Sequence, residues 1–128
     1  MVEATQDILK VNGLSTSFLL REGEIKAVDN VSFSLKKGEV LALVGESGSG
    51  KTVACLSLLR LIRWPPGKIK SGEVILDGQN LFDIPLKDMH KIRGLGIAMI
   101  LQEPMSSLNP SIIIGRQIQE AVELNQGL

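Results

Sequence analysis

The chain has 128 residues, 44% of them hydrophobic and 22% charged, a profile typical of one soluble globular domain and not of a disordered chain. Its 14 basic residues balance its 14 acidic ones, so no positive surplus argues for nucleic acid as the main partner. No apolar run approaches the roughly 20 residues that span a bilayer, and residues 1–10 lack a signal-peptide core. We therefore expect a cytoplasmic protein without an internal disulfide, since Cys55 is its single cysteine.

The first third of the sequence predicts an antiparallel hairpin. Residues 8–18 contain β-formers, a charged turn follows, and residues 25–35 alternate loosely between apolar and polar side chains. That alternation is typical of a strand with one solvated face. Residues 40–44 are five consecutive apolar residues, which instead predicts a strand covered on both faces, as in a parallel sheet.

The remaining elements alternate between helices and strands. A mostly buried helix is predicted over 51–62, stopped by Trp64-Pro65-Pro66-Gly67. Residues 73–76 before Asp77-Gly78 predict a strand ending in a tight turn. We further expect a short helix over 86–93, a second doubly buried strand over 97–101, and a helix over 113–124. This order predicts an α/β fold.

Residues 45–52, GESGSGKT, match the pattern G-x-x-x-x-G-K-[ST] completely. The glycines permit positive φ and close packing around an anion, so that successive N–H groups can surround a phosphate. A helix beginning near Lys51 adds its positive N-terminal end. Lys51 would reach the β- and γ-phosphates and the Thr52 hydroxyl would bind Mg²⁺. A buried strand before the loop and a helix after it argue against a chance glycine-rich turn.

Longer segments around this loop resemble the nucleotide-binding subunit of ATP-binding cassette transporters. They are Lys37-Gly38-Glu39, the loop itself, and SGEVILDGQNL at 71–81. The segment QEPMSSLNP at 102–110 is similar to the Q-loop region of the oligopeptide, dipeptide and nickel importer branch. The resemblance implies a P-loop NTPase core at about 39–63 and 96–102. It also implies an antiparallel β subdomain at about 7–36 and 70–82, and the start of a helical subdomain at about 111–128.

The resemblance also implies the site residues. MgATP would be bound by Phe18, Gly45, Glu46, Ser47, Gly48, Ser49, Gly50, Lys51, Thr52 and Val53, with Thr52 and Gln102 as Mg²⁺ ligands. Gln102 would bind the metal or position the attacking water, and it follows an apolar run where α/β sheets place ligands. Phe18 either stacks on adenine or packs in the core. Glu46 either organises water or metal, or is a solvated loop residue.

Three parts that the family needs for hydrolysis do not occur in this sequence. We find no apolar strand ending in Asp-Glu, no LSGGQ-like signature and no switch histidine. Asp77 is followed by Gly78 and is better explained as a turn residue, while His90, the sole histidine, is expected at the surface. The chain thus resembles the N-terminal portion of such a subunit, and we expect it to be inactive as an ATPase on its own.

Two functions remain open. The first is an ATP-binding part of an importer for peptides or a related solute, at the inner face of the cell membrane. Its partners would be transmembrane permease subunits, contacted through residues 102–110, and a second ATP-binding subunit. The second is a non-catalytic module that binds ATP without turnover. In either case an unpaired apolar edge at 97–101 predicts self-association or strand exchange.

Overall fold

The computed structural model describes residues 6–127, which divide after Met89 into two units. The first unit is built on a four-stranded antiparallel sheet in the order β2-β1-β3-β4. Its strands are β1 (Asp7–Leu20), β2 (Gly23–Lys36), β3 (Gly67–Leu76) and β4 (Gln79–Asn80). Helix α1 (Lys51–Leu58) follows the glycine-rich loop, and a 3-10 helix spans Leu86–Lys91. The second unit contains a 3-10 turn (Pro104–Ser107) and helix α2 (Ile114–Gln126).

The predicted hairpin is confirmed, and its central strand carries much of the core. β1 pairs with β2 on one side and with β3 on the other, both antiparallel. Val11 and Leu14 of β1 and Val74 of β3 are fully buried. The Asp77-Gly78 turn is confirmed too, since both residues adopt positive φ (46° and 83°), as a two-residue hairpin turn requires.

Helix α1 ends at Leu58, earlier than the predicted end at residue 62. The chain leaves the helix through a Schellman-type turn in which the Arg60 N–H bonds the Ser57 carbonyl and the Leu61 N–H bonds that of Leu56. Arg60 has a φ of 54°, a conformation usually left to glycine. Its guanidinium offsets this strain by donating to the carbonyls of Leu81 and Ile84, at 3.3 and 2.5 Å.

The two predicted doubly buried strands are wrong. Residues 40–44 form no strand, and Val40 and Val44 are 94% and 92% exposed. Residues 97–101 make only an isolated bridge between Ile97 and Arg93, and Ile100 is 93% exposed. A strand needs a neighbour for its backbone groups, and no strand within residues 6–127 pairs with either run. The sheet that does form is therefore wholly antiparallel.

The predicted helix near the C-terminal end is confirmed as α2. Gln117 of α2 binds the loop that precedes it: its side-chain oxygen accepts from the Asn109 N–H, and its amide nitrogen donates to the carbonyls of Asn109 and Ile112. Gly127, with a φ of 68°, ends the helix. Within residues 6–127, neither helix has the length and apolarity needed to cross a bilayer.

Large apolar side chains on the second unit make self-association the first expectation to test. Because Ile100 and Ile113 are 93% and 81% exposed, contact between chains would remove apolar area from water. We expect the mass measured by light scattering to rise with protein concentration. Ile100→Asp should reduce that rise, whereas Ser111→Asp, a charge added at an exposed polar position, should not. A monomer at every concentration would contradict the expectation.

Candidate phosphate-binding site

The glycine-rich loop reaches its conformation through two left-handed residues and one close contact. Gly48 and Gly50 have φ of 80° and 93°, as the sequence predicts. Gly45 serves a different purpose, because a Cβ there would lie 2.5 Å from the Ser49 hydroxyl oxygen. A hydrogen bond of 3.1 Å from the Ser49 N–H to the Glu46 carbonyl closes the turn. The loop thus needs glycine for conformation at two positions and for space at a third.

Lys51 is held inside the curve of this loop. Its ammonium donates to the carbonyls of Gly45 and Glu46, at 2.6 and 2.8 Å, and to the Ser49 hydroxyl at 3.1 Å. An ammonium has three hydrogens, so these three acceptors use all of them. The contacts centre a positive charge on the loop. They also mean that a phosphate oxygen would have to replace at least one of these acceptors.

The N-terminus of α1 presents further donors at the same place. The first hydrogen bond within the helix runs from the Ala54 N–H to the Gly50 carbonyl, at 2.8 Å. The N–H groups of Lys51, Thr52 and Val53 precede it and therefore have no acceptor within the helix. Gly50 is the N-cap, no side chain caps the helix, and its first turn contains no acidic residue. These features suit an anionic ligand, which would bind the free amides and the positive helix end.

Within the first unit, the loop and α1 also contact the β-hairpin. Gly50 lies so close to Ala27 of β2 that a Cβ on Gly50 would collide with the Ala27 carbonyl oxygen. Farther along α1, the hydroxyls of Thr16 and Ser57 are 2.8 Å apart. Beside the Gly50 contact is a cavity of about 200 Å³. It is lined by both loop and hairpin residues, among them Val28, Val44, Ser49 and Lys51.

The other predicted ligands are placed as follows. Thr52, in the first turn of α1, and Glu46, in the loop, are both exposed. Phe18 is half-buried in β1 opposite Gly67, and a Cβ on Gly67 would lie 2.8 Å from its ring. Gln102 belongs to the second unit and is exposed. Phe18 thus has a packing contact within the sheet, and its stacking on adenine stays a prediction.

Metal binding by the protein alone finds no support in this arrangement. Within residues 6–127, no group of three or more His, Cys, Asp or Glu side chains is placed to hold a metal ion. His90 is exposed, as predicted. A hydroxyl such as that of Thr52 suits Mg²⁺ when phosphate oxygens and water supply the remaining ligands. The donor set therefore fits a metal that arrives with a polyphosphate.

Sequence reasoning missed the residues that position the loop. Ala27, Thr16 and Ser57 belong to no recognisable motif, and their contacts join residues far apart in the chain. The one available signal is that Thr16 and Ser57 are polar residues within segments predicted to be β-strand and mostly buried helix. Buried polar groups of this kind need partners, so a bond between them could be suspected but not assigned.

Residues 28–126 match the model of a family described as ABC transporter. The oligopeptide transport ATP-binding protein OppD of Bacillus subtilis (strain 168) is 45% identical over 95% of this chain. The glutathione import ATP-binding protein GsiA of Salmonella paratyphi A is 47% identical over 96% of it. The peptidoglycan transport ATP-binding protein YejF of Agrobacterium fabrum is 47% identical over 97%.

These relatives are much longer than this chain. The matched region spans 34% of OppD, 20% of GsiA and 23% of YejF. What the whole relatives do therefore carries over to this chain only as a proposal.

The Gly50 contact generates a stability prediction with a matched control. Gly48→Ala and Gly50→Ala both force a side chain into the left-handed region, which costs about 1 kcal/mol or more at each position. Only Gly50→Ala also meets a backbone atom, the Ala27 carbonyl oxygen, while nothing lies within 4 Å of a Cβ on Gly48. We expect Gly50→Ala to lower the free energy of unfolding in urea by about 2 kcal/mol more than Gly48→Ala. Equal losses would show that the contact does not fasten the loop.

Proposed function

Because this chain belongs to the ABC transporter family, we propose that it is part of the ATP-binding subunit of an importer for peptides or a related solute. One observation carries the proposal: the loop at 45–52 centres the Lys51 ammonium beside the uncapped N-terminus of α1. The names of OppD and GsiA, an oligopeptide transport and a glutathione import ATP-binding protein, support the class of solute.

The ligand of the loop would be MgATP. The free amides at the start of α1 would bind phosphate oxygens, and Lys51 would exchange one or more of its loop acceptors for phosphate. The Thr52 hydroxyl and Gln102 would bind Mg²⁺, which when bound neutralises phosphate charge. Phe18 would stack on the adenine. Loop residues 45–50 and Val53 would pack around the phosphates.

The partners would be a transmembrane permease and a second ATP-binding subunit, at the inner face of the cell membrane. The segment 102–110 supports this proposal by its exposure. Its side chains at 102–107 are all exposed, and two hydrogen bonds within the segment stabilise residues 103–107. Ser106 donates to the Glu103 carbonyl and Ser107 to that of Pro104, at 2.8 and 2.5 Å. An exposed, locally stabilised segment of this kind suits contact with a permease.

Lys51→Ala tests the phosphate site directly. Removing the ammonium deletes a charge-assisted partner for phosphate, which is worth about 1.5–3 kcal/mol. We expect calorimetric titration with MgATP to show affinity reduced at least about tenfold, or no measurable binding. Lys37→Ala is the control, because Lys37 is exposed and precedes the loop. Unchanged affinity in Lys51→Ala would overturn the assignment of the loop.

A second candidate function is a nucleotide-binding module that does not hydrolyse ATP. It is favoured by the sequence of this chain, in which no apolar strand ends in Asp-Glu. Phosphate release from MgATP tests the second candidate. We expect the chain alone to release phosphate at the buffer rate while still binding MgATP. Turnover above background, lost in Lys51→Ala, would require a catalytic carboxylate in this chain and would exclude the non-catalytic module.

A further inference from the structure

Two buried hydroxyl groups connect β1 with α1. Thr16 and Ser57 are both fully buried, and their hydroxyl oxygens are 2.8 Å apart. The Ser57 hydroxyl also lies 2.7 Å from the Val53 carbonyl oxygen, which can only accept. Since a serine hydroxyl carries one hydrogen, Ser57 must donate to Val53 and accept from Thr16. The contact is therefore a directed chain from Thr16 to Ser57 to Val53.

These hydrogen bonds restrict the position of α1 relative to β1 more than they add to the stability of the fold. A buried hydroxyl loses its bonds to water, so a hydrogen bond in its place contributes little net free energy. An apolar pair of the same shape would fill the same space. The hydroxyl pair differs because it is satisfied only in one arrangement of strand and helix, as buried polar contacts generally are. Among residues 6–127 no buried side-chain nitrogen or oxygen is left without a partner, so this arrangement is satisfied.

These hydrogen bonds connect β1 with the start of α1, which in the proposed function bind the adenine and the phosphates of one nucleotide. Thr16 lies two residues before Phe18 on β1. Val53, the last acceptor in this series of hydrogen bonds, lies in the first turn of α1 beside Lys51 and Thr52.

The second attachment of the loop lies at the same point of the hairpin. Thr16 is opposite Val28 of β2, and Ala27, which meets Gly50, immediately precedes Val28. Both ends of α1 are thus attached to neighbouring residues of the hairpin.

We propose that Thr16 and Ser57 are positioning residues for nucleotide binding. They hold the N-terminus of α1 in a fixed relation to β1, so that the phosphate loop and Phe18 engage one nucleotide together. The inference rests on the proposed function, including the stacking of Phe18 on adenine. It adds two residues that touch no part of the nucleotide and act through the helix and the strand.

Comparison of two ligands separates positioning from folding. Inorganic triphosphate with Mg²⁺ would make no contact with Phe18, whereas MgATP would contact both the loop and Phe18 of β1. We expect the double variant Thr16→Val, Ser57→Ala to bind MgATP about three- to tenfold more weakly in calorimetric titration, with its affinity for triphosphate unchanged. Thr16→Ser, which keeps the hydroxyl, should match the unaltered protein with both ligands.

The outcomes distinguish the positioning role of Thr16 and Ser57 from the assignment of the phosphate loop. If the double variant loses affinity for both ligands equally, or for neither, the positioning role is wrong. If the unaltered protein binds triphosphate as tightly as ATP, adenine makes no contribution and the inference fails. In that case, loss of triphosphate binding in Lys51→Ala would still support the assignment of residues 45–52 as the phosphate site. If circular dichroism shows that the double variant does not fold, Thr16→Val alone replaces it in the same two titrations, because Ser57 keeps its bond to Val53.

Discussion

The interaction on which the site depends is that between a lysine ammonium and the carbonyls of its own loop. Lys51 begins α1 and folds back onto Gly45 and Glu46, so one side chain closes the loop and carries its charge. The same geometry leaves the first amides of α1 without acceptors in the helix. Positive charge and free donors are thus brought together by nine consecutive residues, 45–53. Because all of these groups lie close together in the sequence, the motif can be recognised from spacing alone.

Loop conformation by itself would not fix where that charge lies in the molecule. The hairpin does so through two contacts with α1: a steric contact of Ala27 with Gly50 at the N-terminus of the helix, and a hydrogen bond of Thr16 with Ser57 near its C-terminus. Steric contact limits approach, while the hydrogen bond limits separation and sliding. Together they make the antiparallel sheet a platform for the loop.

Elements whose determinants are local could be predicted from the sequence. The hairpin follows from alternation and the Asp77-Gly78 turn from its dipeptide, and α2 lies close to its predicted range. The end of α1 was missed because Arg60 takes a glycine-like conformation, stabilised by carbonyls at 81 and 84 that no local pattern reveals. In the site, spacing identified Lys51 but not Thr16 or Ser57, whose partnership exists only after the strand and helix pack.

The two failed strand predictions have a common cause that bears on function. Apolar runs at 40–44 and 97–101 match buried parallel strands, yet a strand forms only where a neighbour accepts its hydrogen bonds. The loop needs no such neighbour, because its shape comes from its own residues, the hairpin and α1. In the proposed function, the phosphate contacts would therefore not depend on the sheet that the two runs would join. The phosphate and adenine contacts would come from the first unit, and any coupling to hydrolysis would depend on the pairing of those two runs.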